Sequence, residues 1–149
     1  MSAKNKITKA HYEMLAEFRY ALRKFHRFSE EAAQTAGITP RQHQALLAIK
    51  GFPGRDQITI GELAERLQIK HHSAVGLADR LMTEKLVQRT TGPKDHRQVH
   101  VHLTAAGEAV LAKLSSTHQE QLRRIGPRIN QLLESLRGAD APVPAKSGG

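Results

Sequence analysis

The residues best equipped for chemistry fall in two short runs. The first, Lys70, His71, His72, Ser73, Val75 and Gly76, opens a stretch of helical spacing. Imidazole and hydroxyl groups exchange hydrogen bonds with base edges, a valine methyl can meet the methyl of thymine, and a glycine lets two backbones approach closely. Lys70 adds a charge that can reach a phosphate. The second run, residues 92–98, lies between two alternating stretches and holds Lys94, Asp95, His96, Arg97 and Gln98 behind Gly92 and Pro93. It is polar and rich in turn residues, as the tip of a hairpin must be. This is the chemistry of recognition rather than of bond making. The chain has no Gly-rich phosphate loop, no nucleophile elbow and no cysteine, and its carboxylates are scattered over helix faces, so no enzymatic activity is expected. The neighbouring Asp79 and Arg80 are read as an ion pair bracing the helix.

Holding such residues in place requires a scaffold, and the flanking periodicities supply one. Thr59 and Glu62 have the spacing of a capping box and lead into a short supporting helix with Leu63, Ala64 and Leu67 on its apolar face and Ile69 at the turn. After Lys70, residues Ala74, Leu77, Ala78 and Leu81 keep helical spacing, which leaves His71, His72, Ser73, Val75 and Gly76 largely on other faces. Residues 87–91 and 99–103 alternate as strands, with Val99, Val101 and Leu103 on one side and His100 and His102 on the other. Two helices followed by a hairpin with a polar tip is the grammar of a winged helix-turn-helix, which places one helix in the DNA major groove.

The remainder of the chain is helical by its spacing. In residues 8–37 the positions Tyr12, Leu15, Phe18, Leu22, Phe25 and Phe28 recur at steps of three and four, predicting a helix with one buried face, Thr8 as N-cap and Gly37 as its left-handed end. Thr39, Pro40 and Gln42 form a second capping box, and the helix that follows places Leu46, Leu47 and Ile49 inward and stops at Gly51. Residues 58–60 can form a very short strand. Thr104 caps a long helix carrying Val110, Leu111, Leu114, Leu122 and Ile125, which Gly126 and Pro127 are predicted to break. A last helix then runs through Ile129, Leu132, Leu133 and Leu136 to Gly138. Residues 139–149, rich in Ala, Pro, Gly and Lys, are expected to be disordered.

The 149 residues carry a formal net charge of +9 and an isoelectric point near 10.3, which points to a polyanionic partner, most simply nucleic acid. The excess is spread out. Residues 1–57 hold ten Lys/Arg against five Asp/Glu, residues 58–104 seven against five, and residues 105–149 six against four. An arm bearing Lys4, Lys6 and Lys9 can therefore help hold a nucleic-acid backbone. The absence of cysteine excludes disulfides, thiolate metal sites and thiol switches. The first residues lack the apolar region of a leader, and no apolar run approaches the ~20 residues of a membrane span, so a cytoplasmic protein is expected.

In its order of elements and its local motifs the chain resembles the MarR family of bacterial transcriptional regulators (multiple antibiotic resistance regulators). The motifs are Gly61-Glu62-Leu63-Ala64, Leu77-Ala78-Asp79-Arg80-Leu81, Leu86-Val87-Gln88-Arg89, and Asp95-His96-Arg97 through Leu103-Thr104. The resemblance covers roughly residues 8–138 and is strongest over residues 62–107. It implies a mainly α winged helix-turn-helix with a small β-wing, dimeric through its N- and C-terminal helices, that binds double-stranded DNA. It also implies that Arg97 enters the narrow minor groove while Asp95 holds its guanidinium. Where relatives often carry Thr-Val-Thr-Arg, this chain has Ser73-Ala74-Val75-Gly76, so base reading falls to His71, His72 and Ser73. Lys85 stands where a glycine commonly ends the helix, and Lys70 where Ser or Asp is the usual N-cap. A small phenolic or carboxylate effector, or a related conjugate, is implied as well, with Tyr12, Phe18, Arg19, Leu22, His26, His43 and Leu47 as candidate lining residues.

Two other readings stay in view. Nine histidines, with His96, His100 and His102 close in sequence, suggest a metal-responsive regulator, but no cysteine joins them and the hairpin is needed for DNA; no metal or cofactor is expected. An architectural or non-specific nucleic-acid binder would want stacking aromatics, which are scarce outside the first helix. The expected organisation is therefore an arm and dimerisation helix over residues 1–37, a winged helix-turn-helix over 38–104, dimerisation helices over 105–138 and a tail over 139–149. The expected function is that of a ligand-responsive repressor, binding a pseudo-palindromic operator as a homodimer.

Overall fold

The computed structural model describes residues 6–91 and 98–140, with side chains placed as far as residue 136. The elements in chain order are α1 (Lys9–Thr35), α2 (Pro40–Lys50), β1 (Gln57–Thr59), α3 (Ile60–Leu67), α4 (His71–Thr83), β2 (Val87–Thr91), β3 (Val99–Leu103) and α5 (Ala105–Asp140). They divide into two compact units, one of Met1–Phe28 with His118–Gly149, the other of Ser29–Thr117.

The unit Ser29–Thr117 contains the sheet and the three short helices. The strands run antiparallel in the order β1-β3-β2, with Ile58 opposite Val101 and Val87 opposite Leu103. Around them lies a core in which Leu46, Ile49, Ile58, Leu63, Ala74, Leu81 and Val101 are completely buried. The capping boxes expected of α2 and α3 are both formed. Thr39 Oγ1 accepts from the Gln42 amide while Gln42 Oε1 accepts from the Thr39 amide, and Thr59 and Glu62 exchange the same pair of bonds. Leu47, placed inward by its spacing, is instead 45% exposed: the buried side of α2 is formed by Gln42, His43, Ala45, Leu46 and Ile49, and Leu47 lies off it.

Three helices end in the same way. After α1 the Ile38 amide donates to the Ala33 carbonyl and Gly37 to Gln34; after α3 Ile69 donates to Ala64 and Gln68 to Glu65; after α4 Leu86 donates to Leu81 and Lys85 to Met82. Each is a Schellman motif, which requires one left-handed residue. Gly37 supplies it at φ +84, but Gln68 and Lys85 adopt φ of 54 and 61 despite their side chains. Lys85 thus performs the turn that a glycine usually makes.

Gly126 and Pro127 do not break the last helix, because α5 continues from Ala105 to Asp140 with Pro127 inside it. A proline costs one i→i−4 hydrogen bond, and its ring crowds both the carbonyl of residue i−4 and the Cβ of the residue before it. Here that residue is a glycine without a Cβ, so the helical conformation persists through residue 126.

Within the other unit, Met14 and Leu132 are buried, and the His118 ring packs edge-on against Phe25 and Phe28 at 5.8 and 5.4 Å. The stripe expected to be buried on α1 is only partly so. Tyr12 and Leu15 stay exposed, as do Tyr20, Leu122, Leu133 and Leu136. Two helical segments cannot cover all of each other's apolar surface, and these apolar side chains remain open to solvent.

Candidate nucleic-acid interface

The apolar positions of α4 turn inward: Ala74, Leu77, Ala78 and Leu81 are buried. Helical geometry then forces the intervening residues outward. His71, His72 and Gly76 are exposed and Ser73 and Val75 half-buried, forming a small polar surface at the first two turns. No acidic side chain lies in that first turn. Lys70 occupies the N-cap in extended conformation without a side-chain cap bond, leaving its ammonium exposed beside that surface. An open groove of about 440 Å³ runs beside it, lined by Gly61, Ala64, Glu65, Gln68, Ile69, Lys70 and His71.

The supporting helix is tied down at its start. Glu62 accepts from the Thr59 amide at 2.9 Å and pairs with Arg55. Partial burial pushes the Glu62 carboxyl up, but the Thr59 bonds and the Arg55 guanidinium outweigh it, leaving the group below its ordinary value of 4.5. Arg55 and Arg66 lie over the Phe52 ring at 4.4 and 4.9 Å from its centroid. The sequence offered no signal for this sandwich, since Phe52 sits in a loop. At the far end of α2, Lys50 bonds Glu108 at 2.7 Å, which raises its ammonium above the ordinary range.

Asp79 does not pair with Arg80. Its partner is Arg89 on β2, whose guanidinium donates to Asp79 Oδ1 at 2.7 Å. Side chains adjacent along a helix diverge by about 100°, whereas Arg89 on β2 comes within reach of Asp79. The hairpin is thereby tied to α4.

Of the wing residues, Lys94, Asp95, His96 and Arg97 lie outside the described residues. Gln98 is exposed, and Thr91 and Val99 are the last pair of the β2–β3 ladder. The strand alternation expected for β3 holds for Val101 and Leu103, which are buried, but Val99 is exposed and His100 is 7% exposed. β3 is the central strand, and His100 is flanked by Thr59 on one side and Thr90 on the other. A polar face of a central strand is more covered than the same face at an edge. Among the described residues no three His, Cys, Asp or Glu side chains are grouped to hold a metal ion.

The seven residues suggested for an effector are distributed over both units. On α1, Tyr12, Arg19 and His26 are exposed and Phe18 and Leu22 half-buried; on α2, His43 is buried and Leu47 exposed. Among the described residues no helix is long and apolar enough to cross a membrane.

Residues 36–98, which span α2 through the hairpin, match the sequence model of the MarR family. Over this stretch the chain is similar to the MarR family. A protein of Thauera aromatica, proposed as the transcriptional regulatory protein for its hcr operon, is 27% identical over 148 residues, 91% of this chain and 87% of that one. The transcriptional repressor MdtR of Bacillus subtilis is 32% identical over 78 residues, or 52% of this chain, and the match spans about half of that relative at 48%. Among solved structures, a mutant MarR of E. coli complexed with operator DNA superposes with a TM-score of 0.63 at 24% identity, covering 93% of this chain and 100% of that one. MarR-family proteins are DNA-binding transcriptional regulators rather than enzymes, and this chain has their winged-helix fold.

Proposed function

We propose that the protein is a ligand-responsive repressor that binds a pseudo-palindromic operator as a homodimer. The observation that carries this reading is the outer surface of α4, where His71, His72, Ser73, Val75 and Gly76 lie outside the buried ridge with no acidic residue among them. Imidazole, hydroxyl and exposed backbone are the groups that discriminate base edges in a major groove. Lys70, and Lys94, His96, Arg97 and Gln98 of the wing, supply backbone and minor-groove contacts, with Asp95 holding the Arg97 guanidinium. Operator binding by MarR of E. coli and the repressor role of MdtR support the same reading.

The apolar residues left open on α1 and α5 form the dimer interface. A two-fold axis then sets two recognition helices in successive major grooves, about one helical turn apart. A small phenolic or carboxylate effector, held by Arg19 and His26 among the apolar residues Tyr12, Phe18 and Leu22, lowers affinity by favouring a dimer with the wrong helix separation. Arg97→Ala is expected to weaken binding to the operator and to lower its salt slope by about one, whereas Ser73→Ala should relax base preference. Equal losses on specific and scrambled duplexes for Ser73→Ala would move that residue to the backbone contacts.

A further inference from the structure

The residues that read bases open α4, but the contacts that hold the helix gather at its other end. Glu84 directly follows the last residue of α4. From α2 the Gln42 side chain, only 1% exposed, reaches it: Nε2 donates to Glu84 Oε2 at 2.9 Å while Oε1 accepts from the Thr39 amide at 2.9 Å. Both ends of a buried amide are thus engaged, one within α2 and one across to α4. The next residue, Lys85, is left-handed, and its carbonyl accepts from Thr104 Oγ1 at 2.7 Å. The Leu86 carbonyl accepts from the Thr104 amide at 3.0 Å, and a Cβ on Gly107 would lie 2.1 Å from that same oxygen. The start of α2 therefore holds residue 84, and the start of α5 holds residues 85 and 86 next to it.

We propose that Gln42 is a positioning residue for DNA recognition, fixing the tilt of α4 through its bond to Glu84. This rests on α4 being the recognition helix. Lever geometry makes the end of the helix decisive. Along the 13 residues of α4, rising ~1.5 Å each, a tilt of about 5° about the Glu84 end moves His72 by about 1.5 Å. Base-edge hydrogen bonds do not survive such a shift, since their working range spans about 0.5 Å. Flexible contacts from Lys and Arg to phosphates tolerate it. A carboxylate acceptor makes the bond charge-assisted and so directional. The fingerprint of this role is a loss of specificity with general DNA affinity retained.

The test uses the full chain, the duplex that wild-type protein enriches from a random pool, and a scrambled duplex of equal length. Glu84 is exposed, so Glu84→Ala is compatible with folding. It is expected to lower affinity for the enriched duplex about tenfold while affinity for the scrambled duplex stays within about twofold. Glu84→Gln keeps an oxygen for Gln42 Nε2 and should retain the wild-type ratio. Thr39→Ala removes the α2 cap acceptor but not the Gln42 to Glu84 bond, so it should lower the melting temperature without changing the ratio. Equal losses on both duplexes for Glu84→Ala, or a Glu84→Gln variant as impaired as Glu84→Ala, would overturn the positioning role. If wild-type protein enriches no duplex, the assignment of α4 itself fails and the role falls with it.

Discussion

Lys85 holds a φ of 61 where a glycine is the usual residue, and its carbonyl is fixed by Thr104. A left-handed side-chain-bearing residue costs about 1–2 kcal/mol, partly offset because glycine gains more freedom in the unfolded chain. Lys85→Gly is therefore expected to stabilise by about 0.5–1 kcal/mol, raising the melting temperature by about 1–4 °C. A lower melting temperature would mean that the lysine side chain contributes more than its backbone strain takes away. Glu62 gives a pH-dependent counterpart. Its carboxyl lies below its ordinary value of 4.5 in the folded chain, so its stabilisation is complete above that pH and is lost as the pH falls further. Glu62→Gln should flatten the acid limb of a stability profile below pH 4.5 and leave neutral-pH titration behaviour unchanged. At this scale the outward residues of α4 were legible, because helical spacing separates them from Ala74, Leu77, Ala78 and Leu81. Gln42 was legible only as a cap. Its second partner lies 42 positions away, and no local pattern encodes that meeting; the same holds for Asp79, whose partner on β2 depends on how the hairpin folds back.

The elements were legible wherever a cap or a strict alternation marks a boundary. The capping boxes at Thr39 and Thr59 and the alternation of residues 87–91 and 99–103 are decided within four or five residues, so tertiary context does not override them. Pro127 was misread because a proline is a breaker only when its neighbours resist, and Gly126 does not. Leu47 was misread because α2 buries Gln42 and His43 in preference to a leucine, which only the partners of those side chains determine. Gly107 belongs to the same class of facts. Its Cα passes the Leu86 carbonyl so closely that a Cβ would sit 2.1 Å from the oxygen. Gly107→Ala must push the first turn of α5 away from residues 84–86, and is expected to destabilise by about 1–3 kcal/mol, the range of overpacking in a filled site. Chemical denaturation with an unchanged m-value would check it; a neutral substitution would show that α5 and the α4 terminus are not locked together.

The whole molecule reaches its function by leaving surface open in two places. One is the polar face of α4, and the other is the apolar face bearing Tyr12, Leu15, Tyr20, Leu122, Leu133 and Leu136. The sequence marked all of these but Tyr20 as parts of apolar stripes, because periodicity reports that a face is apolar, not which chain covers it. Coverage by a second copy predicts a species of twice the chain mass in sedimentation, and Leu15→Glu with Leu133→Glu should convert it to a monomer that no longer selects DNA. In the proposed function, two α4 helices related by a two-fold axis read one operator. Selection of bound sequences from a random duplex pool tests it most directly. The expected result is a pseudo-palindromic consensus with half-site centres about one helical turn, or roughly 10 base pairs, apart. Uniform recovery of sequences, with affinity set only by salt and duplex length, would contradict it.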